Sequence, residues 1–192
     1  MSQWNIENLI CSKLLHDISS PVNAIGMGIE LIADSPSEEQ LSFLKKTYAS
    51  SRFRLEFLKL FFGSTKNDNY PEFNSFLDCL KKSHSLEKYN IYINKKISSM
   101  KGDPARVFAG FLWLGIDLLP RGGDIEISEN GVIKIYGDLY MSENLFDFSD
   151  DINLIDSKTI IPYYIKNYLL KRLNSNWNIK NENPQTLEIK LS

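Results

Sequence analysis

The stretch CSKLLHDISSPVNAIGMGIELIA, residues 11–33, decides how the chain folds. Its apolar positions Cys11, Leu15, Ile18, Val22, Ile25, Ile29 and Ile32 step forward alternately by four and three, the seam of a helix packed in a coiled-coil-like bundle. At about 100° per residue, His16 falls roughly 145° from the centre of that seam, so its imidazole is presented rather than packed. Lys13, Ser20, Asn23 and Met27 lie within about 60° of it on the same face. Together they make a docking surface of one nucleophile, one cation, two polar side chains and a small apolar contact. Pro21 removes a backbone bond to the carbonyl of residue 17, a cost of about 3 kcal/mol, so a kink is expected one turn past His16. Gly26 and Gly28, with the small Ser19 and Ser20, leave this side open to close approach.

A lone exposed histidine on a helix is most often an ordinary solvated residue, and the flanks set this one apart. The run H-D-I-S-S-P, His16 to Pro21, followed by Val22, Ala24 and Ile25, resembles the phosphoacceptor box of the sensor histidine kinases. There a histidine and an acidic neighbour precede a proline five residues on. The longer run C-S-K-L-L-H-D-I-S-S-P-V-N-A-I-G-x-G-I-E-L-I more closely resembles the bacterial histidine phosphotransferases of the ChpT family.

A second helix is expected after Ser37, which can cap it, with Glu39 and Gln40 following. Its seam, Leu41, Leu44, Tyr48, Ser51, Leu55, Leu58 and Phe62, again alternates three and four, so the two helices form an antiparallel hairpin. Phe43, Phe53, Phe57 and Phe61 add apolar surface that one hairpin cannot bury. A homodimeric four-helix bundle would cover it, and so would a C-terminal part folded back over it.

The polar stretch 63–69 is the only convincing linker and divides the chain into a hairpin domain, 1–63, and an α/β domain, 70–192. In the second, a helix is expected over 71–86 and a strand through Tyr89, Ile91, Ile93 and Ile97. A helix capped by Asp103-Pro104 runs to Leu118, and a hairpin with a type I′ turn at Asn130-Gly131 follows. After the weakly periodic acidic stretch 138–151 come a helix ending near Leu173 and two closing strands, 177–180 and 186–191. The fold class is therefore α+β, with one antiparallel or mixed sheet covered by helices. Trp113, Tyr163 and Tyr164 read as core, and His84 as a solvated loop residue.

This order resembles the ATP-binding domain of the histidine kinases, with Ile116 to Ile125 aligning with the helix end and P-x-G-G turn before the kinase hairpin. Where kinases place two metal-holding asparagines four apart, this chain has Gly110 and Leu114, which offer no side-chain ligand. Its last glycine is Gly137, so the glycine-rich backbone that approaches phosphates is missing. The second domain is thus a degenerate histidine-kinase ATPase-like α/β sandwich, which is also what the resemblance to the ChpT family implies.

That resemblance implies a phosphorelay. His16 receives a phosphoryl group from the phospho-aspartate of a receiver domain and passes it to a second receiver. The donor is a hybrid kinase of the CckA type and the acceptors are response regulators of the CtrA type. Lys13, Ser19, Ser20, Asn23 and Met27 form the partner-binding face. Asp17, beside His16 in sequence but not facing it on the helix, accepts or orients the Nδ1 proton by resemblance. No cofactor or metal is expected to be held by this chain, Mg²⁺ coming with the receiver. The alternative is a non-catalytic kinase-like scaffold that binds and inhibits a kinase or regulator; an ATP-dependent kinase fits poorly.

Composition bounds the rest. With 192 residues, 43% hydrophobic and 24% charged, this is an ordinary globular chain, and its net charge of −2 gives no basic field for nucleic acid. Cys11 and Cys79 are too few for a disulfide framework. The apolar run 108–116 is too short to cross a bilayer, so a cytoplasmic protein without a membrane partner is expected.

Overall fold

The computed structural model of the chain describes residues 3–34, 37–63, 70–83, 86–141, 145, 160–183 and 185–192. The two heptad segments form an antiparallel hairpin of α1 (Gln3–Asp34) and α2 (Glu38–Phe62). Helix α1 starts well ahead of the apolar seam, and Pro21 lies inside it without ending it. The Ser37 hydroxyl accepts the Gln40 backbone N–H at 3.2 Å, the expected cap.

Only half of each seam is spent within the chain. On α1 the residues turned inward are Ile10, Leu14, Ile18, Pro21, Ile25, Gly28 and Ile32, while Leu15, Val22 and Ile29 are exposed. On α2, Leu44, Ser51 and Leu58 turn inward, while Leu41, Tyr48 and Leu55 are exposed. The heptad therefore separates into two layers, one closing the hairpin and one left on its outside. Gly28 belongs to the inner layer: a Cβ there would meet Leu44 Cδ1 at 2.9 Å, so its lack of bulk serves the approach of α2. At Gly26 nothing lies within 4 Å.

The α/β half follows as α3 (Phe73–Ser83), a single 3₁₀ turn at Leu86–Lys88, β1 (Tyr89–Ile93), α4 (Lys95–Ser98), α5 (Gly102–Leu118), β2 (Gly123–Ile127) and β3 (Val132–Gly137), then α6 (Ile160–Tyr164) continuing into a π-helical turn (Ile165–Leu170), β4 (Trp177–Asn183) and β5 (Thr186–Leu191). The strands form one mixed sheet in the order β1-β2-β3-β5-β4, with β1 parallel to β2 and the other pairs antiparallel. Inward-facing Ile125, Ile127, Ile133, Ile135, Leu187 and Ile189 lay the sheet against α5. Trp113, Tyr163 and Tyr164 are buried, as expected.

Three local expectations change. Ile97 ends no strand; it is fully buried in α4, which Asn94 caps by accepting the Lys96 N–H at 2.9 Å. Helix α5 begins at Gly102 with Lys101 before it, so Asp103 lies in the first turn, where its charge suits the helix dipole and its carboxylate takes Arg106 and Arg172. The β2–β3 hairpin has one left-handed residue, Gly131 at φ 73, whereas a type I′ turn needs two. The Gly131 N–H donates to the Ser128 carbonyl and the Ser128 N–H to the Val132 carbonyl, a three-residue loop closed by a left-handed glycine. The leftover phenylalanines divide: the α/β half covers Phe57 and Phe61, and Phe43 stays exposed. His84, most of the linker and most of the acidic stretch lie outside the described residues.

Candidate functional site

Helix α1 divides its circumference three ways. At about 100° per residue, His16 stands roughly 150° from the inward layer and roughly 120° from the exposed Leu15, Val22 and Ile29. His16, Ser20, Asn23 and Met27 are all exposed on this third face, so the structure brings together four of the five side chains that sequence spacing grouped. Ser19 is exposed too, but its hydroxyl donates to the Leu15 carbonyl at 2.7 Å, a bond within the helix. The side chains of Lys13 and Asp17 lie outside the described residues.

Two grooves flank this face. One, about 360 Å³, runs between α1 and α2 along Pro21, Val22, Ile25, Tyr48 and Leu55, with Arg52, Glu56 and Lys59 also on its wall. It follows the unspent heptad layer. The other, about 230 Å³, lies nearer the hairpin tip between Gly28, Leu31, Glu39, Gln40 and Phe43. Leu31 is 55% exposed and Phe43 60%, and Met27, one turn before Leu31, is 63% exposed. Sequence reasoning included Met27 in the docking face but missed Leu31 and Phe43. The available signal was that both fall off the 3-4 seam of their helices.

The positions aligned with the kinase asparagines are closed. A Cβ at Gly110 would stand 2.7 Å from Ile165 Cδ1 and 2.8 Å from Phe61 Cε2, so the hairpin's own phenylalanine and the π-helical turn fill the space in front of α5. Leu114 is 3% exposed. The turn after α5 does keep its glycine geometry, with Gly122 at φ 96, where a Cβ would run into the Lys88 carbonyl. Among the described residues no group of three or more His, Cys, Asp or Glu side chains is placed to hold a metal ion. No described helix is long and apolar enough to cross a membrane.

The chain is 24% identical over 184 residues to the protein phosphotransferase ChpT of Brucella abortus (strain 2308), with 85% of each chain covered. It is similar to ChpT. A bacterial phosphotransferase solved at 1.7 Å superposes with a TM-score of 0.75 over 100% of this chain and 98% of that one, at 20% identity. The fold shared with that phosphotransferase thus extends over the hairpin and the α/β half together. The histidine kinase domain of the Erythrobacter litoralis EL346 blue-light activated kinase covers 97% of this chain and 91% of its own at 10% identity, with a TM-score of 0.40. No protein-family model matches the chain.

Proposed function

We propose that the chain is a histidine phosphotransfer protein that accepts a phosphoryl group on His16 from a receiver-domain phospho-aspartate and hands it to a response regulator. The observation that carries this reading is His16 standing outward on a helix face free of both apolar layers, within the H-D-I-S-S-P run. The likeness to ChpT over 85% of the chain supports it. In the first step the ring nitrogen, taken as Nε2, attacks phosphorus in line. A P–N bond forms as the P–O bond to the aspartate breaks, leaving a free carboxylate on the donor. The second receiver's aspartate reverses the sequence. Mg²⁺ enters with the receiver.

The donor is expected to be a hybrid kinase of the CckA type and the acceptors regulators of the CtrA type, working in the cytoplasm. ATP is not the phosphoryl source in this reading, since Phe61 and Ile165 fill the space at Gly110. Two copies associate through Leu15, Val22, Ile29, Leu41, Tyr48 and Leu55, completing a four-helix bundle from two hairpins and leaving His16 uncovered.

The test is label transfer from a panel of phosphorylated receivers to the wild type and to His16→Ala. The wild type should take up acid-labile, base-stable label and the variant none, with circular dichroism unchanged because the side chain is exposed. Normal labelling of His16→Ala sinks the assignment.

A further inference from the structure

Phe57 and Phe61, near the C-terminus of α2, are 1% and 0% exposed, and what buries them is the α/β half. Phe57 meets Trp113 edge-on at 4.6 Å between ring centres and Phe76 at 5.4 Å, and Phe61 packs beside Tyr164 at 5.5 Å. Phe61 also reaches the notch above Gly110, where a Cβ would stand 2.8 Å from its ring. Gly110 is the one residue type that admits the ring at this distance.

A polar clamp sits beside this socket. The last carbonyls of a helix have no N–H partner within it. Here Arg106 of α5, 3% exposed, supplies one from outside: its Nε donates to the Leu60 carbonyl at 3.1 Å and its Nη2 to the Gly63 carbonyl at 2.5 Å. Its Nη1 is paired with Asp103 at 3.1 Å, and Asp103 also takes Arg172 at 3.2 Å. Parting α2 from α5 would strip a buried guanidinium of two acceptors and expose two aromatic rings at once, both strongly unfavourable. Helix α1 shares the same footing: Ile10 and Leu14, within about two turns before His16, pack against this core, and α1 rests on α6.

We propose that the α/β half is latched to the hairpin by the Phe61–Gly110 socket and the Arg106 clamp, and that the latch braces the turn of α1 that carries His16. The α/β half is a buttress that moves with the hairpin as one body. The consequence for phosphotransfer rests on the function proposed above; the latch itself does not.

The test uses the full chain as wild type, Gly110→Ala, Phe61→Leu and the double variant, followed by hydrogen exchange. The added methyl in Gly110→Ala should speed exchange at least tenfold at the amides of residues 57–62 and also of 10–16, leaving 28–32 and 38–44 at the hairpin tip unchanged. Phe61→Leu in the same chain makes room on the ring side, leaving only the flexible tip of Ile165 to turn aside, and should restore much of the protection. Arg106→Gln should raise exchange at 57–62 in the same way. Unchanged exchange in Gly110→Ala, or acceleration spread evenly over the chain with no rescue, overturns the latch. Acceleration confined to 57–62 with 10–16 untouched overturns the brace. The same four proteins are then assayed for label transfer: a loss in Gly110→Ala restored in the double variant supports the positioning of His16, and normal transfer from an opened latch refutes it. A wild type that takes no label from any receiver counts against the phosphotransfer function, and the exchange pattern still decides the latch.

Discussion

Replacing Val22 by glutamate puts a carboxylate at the middle of the unspent heptad layer. Six apolar side chains in that layer are 39% to 65% exposed on each protomer. Fully burying one such side chain contributes about 1.5–3 kcal/mol, so covering the exposed half of each contributes about 1 kcal/mol. In a two-fold interface every residue counts twice, which brings the gross gain to roughly 12 kcal/mol. Lost translational and rotational freedom offsets about 4 kcal/mol or more of that, leaving a dimer with a dissociation constant on the order of micromolar. Val22→Glu removes about 1 kcal/mol of burial and desolvates a carboxylate at each of two positions, roughly 4 kcal/mol altogether even with Arg52 and Lys59 on the same groove wall. The dimer should weaken by roughly a thousandfold. The helix itself should not suffer, since glutamate has a slightly better helix propensity than valine and the site is exposed in the single chain. Sedimentation across a concentration series reads the association, and circular dichroism reads the helix. A Val22→Glu chain that sediments as the wild type does at every concentration would refute the reasoning.

Phe43→Glu alters the other groove and Met27→Glu the exposed face beside it, where a receiver docked on His16 is expected to lean. Each should change stability by less than about 0.5 kcal/mol and slow label transfer by roughly 100-fold, because reactive geometry tolerates only about an ångström of displacement. Normal transfer by both would place the receiver elsewhere. Titration calorimetry with Mg²⁺ and ATP should give no saturable heat, since Gly110 and Leu114 offer no ligand and the space before Gly110 is filled; micromolar binding would revive an ATP-dependent kinase. Tyr164 is pushed up to about 12, first by burial and then by neighbouring Tyr168. Its folded value is raised, so the stability it contributes is intact below pH 10 and falls as pH rises from about 10 to about 12, by up to about 2–3 kcal/mol. Denaturant titrations of Tyr164→Phe should lose that part of the alkaline decline.

Sequence pattern located the hairpin because heptad spacing and the Ser37 cap are local signals. It also picked out the outward His16 face, which depends only on angle around one helix. It did not resolve which heptad positions close the hairpin and which remain for another surface: the 3-4 spacing of Leu15 and Ile18, or of Tyr48 and Ser51, is the same in both roles, and only the partner helix breaks the tie. Asp103 read as a cap because Asp-Pro at a helix start usually is one. Its carboxylate instead meets Arg106 and Arg172, the second far off in sequence. The fates of Phe43 and Phe61 differ for the same reason, since contact with α5 comes from a segment that no local window contains. Phe43 stood out only as surplus apolar surface and Leu31 not at all, and only the hairpin crossing sets them at one groove.

The threefold division of α1 bears on stoichiometry. In a dimer joined through Leu15, Val22 and Ile29, each His16 faces about 120° away from the joint, and every side chain of its docking face comes from its own protomer. On the function proposed above, such an assembly is expected to carry two acceptor sites on opposite flanks, to seat two receivers together and to bind them hyperbolically. In a mixed dimer of wild type with His16→Ala, half of the phosphate capacity survives at full speed per site, so the defective copy is silent rather than dominant.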